Sequence, residues 1–432
     1  MEQVKRMLEF IEKSPSCYQV VENVQKELET AGYVPLMENR KWELSSGGKY
    51  YLTRNGSSLI AFSIPEGKGD TDASIPQTEP IGFHMIASHS DSPCFKIKEE
   101  PEIKVEEQYV KLNVEKYGGM ILSTWLDRPL SLAGRVVAAD GEDIVIKNLA
   151  VDKDLFVIPN VAIHMSRDMN KGVEYNAQTD MLPLYGGAEN EGSFRELIAG
   201  AAGVKSEDIL GGDLFLYNRE KGRIFGANGE FICAPRLDDL ECVYASLQAM
   251  LRAVPDRYIN LMIVFDNEEV GSTTRQGAAS TFLQDTLKRI CGAVGMAEDG
   301  YHRLLAESFM ISADNAHAVH PNHPEKADPT NRPYLNGGIV IKYHGSQKYT
   351  TDAVSAAIMK KICERAGVPW QTYANRSDIA GGSTLGNLSA AQVPVSTVDI
   401  GLPQLAMHSA YETAGAKDVE YMIRAMECFY KE

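Results

Sequence analysis

The stretch INLMIVFDNEEVGS, residues 259–272, decides the fold. It is a short apolar run of strand length, and the acidic turn Asp266-Asn267-Glu268-Glu269 follows it at once. Such a run, bounded by turn residues, is typical of a strand buried on both faces of a sheet. Three more segments repeat the pattern of an apolar run followed by polar residues: IGFHMIASHSDSP (81–93), FMISADNAH (309–317) and VSTVDIGLPQ (395–404).

From residue 235 onward these runs alternate with helical patterns such as 352–366, which predicts a largely parallel sheet covered by helices. Residues 97–232 differ, because short, partly alternating runs separated by turn signals dominate there. Those runs are 103–105, 110–114, 121–126, 134–137, 144–146 and 214–217. We therefore predict an α/β domain made of residues 1–96 and 233–432, interrupted by a β-rich insertion of residues 97–232.

Two local features complete the prediction. Val21, Val24 and Leu28 recur at helical spacing, so a helix is expected to begin after Ser16 and to end at Gly32. Residues 67–80 are rich in turn formers and predict a polar loop.

Composition limits the possible functions of the 432-residue chain. Its net charge of −16 repels phosphate backbones, so we expect no nucleic-acid partner. Charged residues interrupt the first sixteen positions, so we expect no signal peptide there. No apolar run approaches the length of a membrane span. The seven cysteines are dispersed without a CxxC pair, which favours reduced thiols. A cytoplasmic protein is the resulting expectation.

The ends of the predicted strands bring candidate metal ligands to one crevice, because ligands of open α/β sheets bind beyond the carboxyl ends of the strands. Two histidines and three carboxylates suit a pair of zinc ions. Of Glu268 and Glu269, one could bind metal while its neighbour acts as a general base, and Asp91 could orient the imidazole of His89. The candidate residues at these positions are His89, the pair Glu268 and Glu269, Asp314, His408 and the pair Asp238 and Asp239.

Each of these residues also has a plainer interpretation. A lone histidine at a strand end is usually a core or loop residue. Adjacent glutamates can begin a solvated helix, adjacent aspartates such as Asp238 and Asp239 can be an N-cap pair, and Asp314 can be a turn residue. The residue types alone thus favour a metal hydrolase without deciding for it.

Nine motifs taken together carry a more specific signal, and they resemble the aspartyl aminopeptidase family of co-catalytic zinc metallopeptidases. In chain order they are ASHSDSP (87–93), YGGMILSTWLDRPLSLAGRV (117–136), IPNVAIHMSRDMNKG (158–172), PRLDDL (235–240), DNEEVGS (266–272), SADNAHAVHPN (312–322), GGIVIKYHGSQKYT (337–350), RSDIAGGSTLG (376–386) and GLPQLAMHSAYET (401–413). The resemblance spans most of the chain. It implies a zinc-exopeptidase sheet with a β-rich dimerisation domain inserted into it.

The resemblance also implies roles. His89 and Asp314 would hold one zinc ion and Glu269 and His408 the other, with Asp238 bridging both. Glu268 would be the general base that activates the metal-bridging water, and Asp91 would orient His89. His164 matches a histidine that the family places in a neighbouring subunit's active site, and Lys342 and Tyr349 lie in a segment used for substrate contact. Co²⁺ or Mn²⁺ could replace zinc at such a site.

The implied activity is release of N-terminal residues, Asp or Glu, from peptides by a dodecamer assembled from dimers. Lys342 would pair with the acidic side chain of the residue released. Two departures from the family pattern stand out. Asp239 takes the place of a frequent Asn, and Ser90 takes the place of a frequent Thr. An aminopeptidase of the same clan with broad or neutral preference is the first alternative. A catalytically silent assembly protein is the second.

Overall fold

The computed structural model describes residues 1–66 and 80–432. The predicted polar loop 67–80 therefore lies, apart from Pro80, outside the described residues. The helices are α1 (Glu2–Glu12), α2 (Cys17–Thr30), α3 (Phe194–Ala202), α4 (Leu237–Arg252), α5 (Phe282–Ala293), α6 (Glu298–Ala306), α7 (Ala353–Ala366), α8 (Leu385–Ser389) and α9 (Asp418–Tyr430). No helix within these ranges has the length and apolar composition needed to cross a membrane.

The strands fall into three sheets. They are β1 (Val34–Pro35), β2 (Lys49–Arg54), β3 (Ser58–Ser63), β4 (Gly82–His89), β5 (Cys94–Val105), β6 (Tyr109–Tyr117), β7 (Leu130–Asp140), β8 (Asp143–Ala150), β9 (Leu184–Gly187), β10 (Ile209–Asn218), β11 (Arg223–Phe225), β12 (Phe231–Ala234), β13 (Tyr258–Phe265), β14 (Phe309–Ala313), β15 (Ala316–His317), β16 (Ile339–Tyr343), β17 (Trp370–Ala374), β18 (Ser396–Gly401), β19 (Pro403–Leu405) and β20 (Glu412–Gly415).

The largest sheet has the strand order β1-β2-β3-β13-β4-β14-β18-β16-β17. Its four central strands, β13, β4, β14 and β18, run parallel to one another. Every residue of β4 and β14 is buried, because helices cover the sheet and two apolar cores fill the space on either side of it. The mixed α/β fold predicted from the alternating pattern is confirmed.

The second sheet, with the order β8-β7-β10-β5-β6-β9, is antiparallel throughout. It has a core of its own around Phe95, Trp125, Leu132 and Phe156. The β11-β12 hairpin, by contrast, pairs with β20 in a third sheet of order β11-β12-β20-β19-β15. The division of the chain at 97 and 232 stays a prediction.

One predicted strand is wrong. Residues 121–126 contain a 3₁₀ turn, Leu122–Trp125, instead of a strand. The Thr124 hydroxyl donates to the Ile121 carbonyl at 2.7 Å, and this local hydrogen bond closes the turn. The turn buries Trp125 in the core of the second sheet while Ile121 stays exposed.

The helix predicted after Ser16 is α2, and a separate helix, α1, precedes it. Ser16 occupies the N-cap position of α2. Its hydroxyl donates to Gln19 Oε1 at 2.5 Å instead of accepting a hydrogen bond from a backbone N–H. The position was therefore predictable from the residue type, but the hydrogen bond it makes was not.

Candidate metal centre

Strand register brings the ends of β4, β13 and β14 together. His89, the last residue of β4, lies beside Phe265, the last residue of β13. β14 runs along the other side of β4 and ends one residue before Asp314. Parallel strands that stop at the same edge thus place their following residues in one crevice.

The turn after β13 is tight. Asn267 has φ +60°, the 3₁₀ turn Glu268–Val270 follows, and Gly271 has φ +100°. These left-handed residues reverse the chain directly above the sheet, so that Glu268 and Glu269 point back over the strand ends rather than away into solvent.

Two further segments complete the cluster. Asp238 lies in the first turn of α4, and His408 lies in the loop between β19 and β20. The buried carboxylate of Glu412 joins them, because it accepts the backbone N–H of His408 at 2.7 Å and that of Asp238 at 3.1 Å. One side chain therefore fixes two segments that are distant in sequence.

The side chains meet in three overlapping groups, and within each group the candidate ligand atoms lie within 4.8 Å of one another. The groups are His89, Asp238, Asp239 and Asp314; His89, Glu268 and Glu269; and Asp238, Glu269 and His408. Asp238 joins two of them: Oδ1 lies 3.6 Å from His89 Nε2, and Oδ2 lies 3.4 Å from His408 Nε2. His408 Nε2 is also 3.4 Å from Glu269 Oε2.

The outer nitrogen of each histidine is occupied. His89 Nδ1 lies 3.0 Å from the Asp91 carbonyl and 3.3 Å from its carboxylate. His408 Nδ1 lies 2.7 Å from the carbonyl of Gly119. A carbonyl oxygen only accepts, so both Nδ1 atoms carry a proton, and in the neutral imidazole the lone pair is on Nε2, the atom that faces the carboxylates and that a metal would bind.

Asp91 does more than face His89. Its Oδ1 accepts the backbone N–H of Glu268 at 3.1 Å, and its Oδ2 accepts that of Glu269 at 3.2 Å. The buried carboxylate thus holds the acidic turn as well as the imidazole.

The charge balance of the cluster fits a cation. Burial raises the pKa of Glu268 to about 8 and that of Glu269 well above its usual range, and neighbouring carboxylates add to both effects. Asp238 Oδ1 and Glu269 Oε1 are buried without a hydrogen-bond partner among the described residues. Buried, crowded carboxylate oxygens of this kind need compensation, and a bound divalent ion beside two oriented imidazoles supplies it.

Lys342 and Tyr349 lie beside the cluster. The Lys342 ammonium, 2% exposed, lies 3.4 Å from Asp314 Oδ2 and donates to the backbone carbonyls of Asp314 at 2.7 Å and Asn315 at 3.3 Å. It also lies 5.2 Å from the centre of the Tyr349 ring. Contact of Lys342 with substrate stays a prediction, and in the structure its ammonium faces Asp314, a predicted metal ligand.

His164 does not join the cluster of its own chain. It is exposed in a turn, and nothing in ranges 1–66 and 80–432 forms a hydrogen bond or ion pair with it. Its apolar neighbours are exposed as well: Val161 by 51%, Ile163 by 46% and Met165 by 82%.

Several residues of the centre were not predicted to contribute. Asp239, to which the sequence assigned no role beyond the plainer interpretation of an N-cap pair, accepts the His89 backbone N–H at 3.2 Å. Glu412 and Tyr117 support the cluster from the third and second sheets. His317 packs edge-on against Tyr373, with ring centres 5.9 Å apart, and the Tyr373 ring lies 6.4 Å from that of Tyr349. The position of His317 after a strand end was its only local signal.

The model of the family of aminopeptidase I zinc metalloproteases, M18, matches residues 10–430. The chain belongs to the M18 family. It is accordingly a zinc-dependent aminopeptidase, a hydrolase, and the family predicted from the motifs is confirmed.

Similar M18 proteins match along the whole chain. A probable M18 family aminopeptidase 2 of Clostridium acetobutylicum is 46% identical over 100% of this chain and 99% of its own. A similarly named protein of Stutzerimonas stutzeri is 37% identical over 98% and 97%. Among solved structures, Ape4 in its complex with Nbr1 has a TM-score of 0.93 at 34% identity, covering 99% of this chain and 85% of Ape4. The S. cerevisiae mApe1 dodecamer has a TM-score of 0.83 at 27% identity, covering 99% and 96%.

Proposed function

We propose that this M18 aminopeptidase holds two zinc ions per chain. His89 and Asp314 would bind one, Glu269 and His408 the other, and Asp238 both. The observation behind this is the geometry of Asp238, whose two carboxylate oxygens face different histidines at 3.6 and 3.4 Å. Co²⁺ or Mn²⁺ could occupy the same oxygen and nitrogen ligands.

When bound, such ions supply Lewis acidity, which polarises the scissile carbonyl and makes a water molecule acidic enough to attack it near neutral pH. Glu268, the carboxylate without a ligand role, takes a proton from the attacking water and delivers it to the departing amine nitrogen. Asp91 keeps Glu268 in reach through the hydrogen bond to its backbone N–H. The net reaction adds one water across the peptide bond and releases an N-terminal residue.

The substitution Glu268→Gln tests this assignment, because it keeps the shape of the side chain and removes the base. The expected result is two zinc ions per chain by elemental analysis and a loss of turnover of about 10²–10⁴-fold. Asp314→Asn is the matched control, since it alters a proposed ligand and should lower zinc content and turnover together. Turnover that survives Glu268→Gln would exclude Glu268 as the base.

For specificity, we propose release of N-terminal Asp or Glu, with Lys342 and Tyr349 beside the acidic side chain. The support is the buried ammonium of Lys342, which lies next to Asp314. Charge-assisted contact with such a group favours a carboxylate over an apolar side chain.

A second candidate is release of neutral residues, and the contacts that Lys342 already makes within the chain favour it. Three oxygens of Asp314 and Asn315 already lie within 3.4 Å of its ammonium, so a substrate carboxylate would have to compete with them. Rates on chromogenic Asp-, Glu-, Leu- and Ala-aminoacyl substrates, with and without a chelator, separate the two. Chelator-sensitive cleavage favouring Leu or Ala would remove the acidic preference. No cleavage by the zinc-loaded protein would favour the silent assembly protein.

We also propose a dodecamer in which His164 enters the site of a neighbouring subunit and stabilises the oxyanion. The exposed apolar residues around His164 support a partner surface there, and a relative has been solved as a dodecamer. Mixing inactive His164→Ala with inactive Glu268→Gln tests the assignment, because mixed oligomers would pair an intact cluster with an intact His164. Activity that fails to return after subunit exchange would place His164 outside the neighbouring site. The cytoplasmic location and the lack of a nucleic-acid partner stay predictions.

A further inference from the structure

Residues 117–119 connect the second sheet to the candidate metal centre. They lie at the end of β6, in the motif YGGMILSTWLDRPLSLAGRV, to which the proposed reaction assigns no role. We infer that this segment, called here the support segment, positions the metal ligands and the general base within its own chain. The inference rests on the proposed two-metal function.

The first contact is made by the Tyr117 hydroxyl. It donates to Asp91 Oδ2 at 2.7 Å and accepts a hydrogen bond from Asn267 Nδ2 at 2.8 Å. Asp91 holds the backbone N–H groups of Glu268 and Glu269, and Asn267 is the residue that begins their turn. One hydroxyl therefore restrains the acidic turn at two points.

The second contact is made by Gly118, which has φ +79°. A Cβ atom built on Gly118 would lie 3.1 Å from the Cβ of Glu269 and 3.4 Å from the Cα of Pro93. The segment packs against a proposed ligand so closely that a side chain at this position would have to displace Glu269.

The third contact is made by the Gly119 carbonyl, which accepts the Nδ1–H of His408 at 2.7 Å. This bond selects the tautomer whose Nε2 lone pair faces Asp238 and Glu269. The next residue but one adds a backbone restraint, since the Ile121 N–H donates to the His408 carbonyl at 3.0 Å. Partners of the outer nitrogen of a ligand histidine fix its orientation and raise its basicity.

These three contacts reach both proposed ions: Gly119 through His408, Gly118 through Glu269, and Tyr117 through Asp91, which also faces His89. The Gly119 carbonyl meets the outer nitrogen of a proposed ligand, and the Tyr117 hydroxyl meets a carboxylate that faces another. The β-rich sheet is thus part of the active site of the same chain.

Two substitutions test the inference, each with a matched control in the same sheet. Tyr117→Phe removes the hydroxyl and keeps the ring, which packs edge-on against Phe215 at 5.4 Å. Its control, Tyr185→Phe, removes a hydroxyl that bonds Ser193 at 2.9 Å. Gly118→Ala is controlled by Gly141→Ala, because Gly141 has φ +64° but nothing within 4 Å of its Cβ position.

The readouts are the zinc dissociation constants from chelator competition, kcat and KM, and the thermal unfolding of the metal-free protein. Loss of a group that orients a metal ligand by a hydrogen bond typically costs about 10–100-fold in metal affinity or activity. Tyr117→Phe and Gly118→Ala should therefore weaken zinc binding or lower kcat by about tenfold or more, while their metal-free forms, like those of the controls, stay folded at the assay temperature.

Zinc affinities and kcat values within twofold of the controls would overturn the inference. A wild-type protein that binds zinc but cleaves no aminoacyl substrate would refute the proposed function alone, since the zinc affinities of the variants would still decide the role of the support segment. A wild-type protein that binds no zinc would overturn both.

Discussion

Asp399 offers a sharp test of what holds Tyr349 in place beside Lys342. This carboxylate is fully buried in β18. Its Oδ2 accepts the backbone N–H of Thr350 at 2.5 Å and the hydroxyl of the same residue at 2.6 Å, and its Oδ1 accepts the Thr384 hydroxyl at 2.7 Å. It therefore ties the residue next to Tyr349 to the segment that begins α8.

The substitution Asp399→Asn leaves one carbonyl oxygen for the two Thr350 donors, and the Thr384 hydroxyl can rotate to accept from the new amide. Hydrogen bonds to charged groups are worth about 1.5–3 kcal/mol each and neutral ones about 1 kcal/mol. Each of the two bonds is weakened by about 0.5–2 kcal/mol, so the free energy of unfolding falls by about 1–4 kcal/mol. If half of that loss appears as looser packing around Tyr349, KM rises by about two- to thirtyfold.

Asp418→Asn is the control, because Asp418 is another fully buried carboxylate that accepts two backbone N–H groups, those of Asn336 at 2.6 Å and Gly338 at 2.9 Å. Both variants should unfold at lower denaturant, and steady-state kinetics should show a raised KM for Asp399→Asn alone. An Asp399→Asn enzyme that loses stability but keeps the KM of the wild type would refute the role assigned to Asp399.

Three other predictions follow from buried ionisable groups. Burial lowers the pKa of His84 to about 3, so this residue stays neutral in the folded protein. In the unfolded chain the imidazole has a pKa of about 6.5 and takes up a proton as pH falls, which lowers the free energy of unfolding. Denaturant titrations should therefore show that the stability of the wild type relative to His84→Gln decreases by about 2 kcal/mol from pH 7.5 to 5. The Asp238→Ala variant should hold neither zinc ion, as measured by elemental analysis, whereas retention of one ion would show that Asp238 does not bridge the two ions. Lys342→Met leaves the Asp314 carboxylate buried without its cation and should destabilise the metal-free protein by about 3–5 kcal/mol; an unchanged unfolding temperature would contradict that.

The sequence predicted the part of the centre that follows from strand periodicity. The apolar run 309–313 is β14 to the residue, and 259–265 is β13 without its first residue. Ligands at the ends of such strands, His89 within β4 and Asp314 directly after β14, inherit their positions from the register of the sheet. Their convergence could therefore be predicted without knowing any loop.

Other features escaped prediction because they depend on local hydrogen bonds or on partners that are distant in sequence. The 3₁₀ turn at Leu122–Trp125 was mistaken for a strand, since an alternating apolar pattern does not distinguish the two. Asp399 sits in the middle of an apolar strand and looks, from sequence, like a costly buried charge. Its partners, Thr350 and Thr384, are separated from it by 49 and 15 positions.

The same reasoning separates ligands from the groups that orient them. A metal ligand must be one of few residue types, so composition and spacing reveal it. An orienting group need only offer an oxygen, and at His408 that oxygen is a backbone carbonyl, from Gly119, 289 positions away. Backbone acceptors leave no trace in residue identity. What the sequence does retain is the glycine itself: Gly118, beside the carbonyl that orients His408, is restricted by Glu269, and a glycine next to a predicted site is the local sign of such close approach.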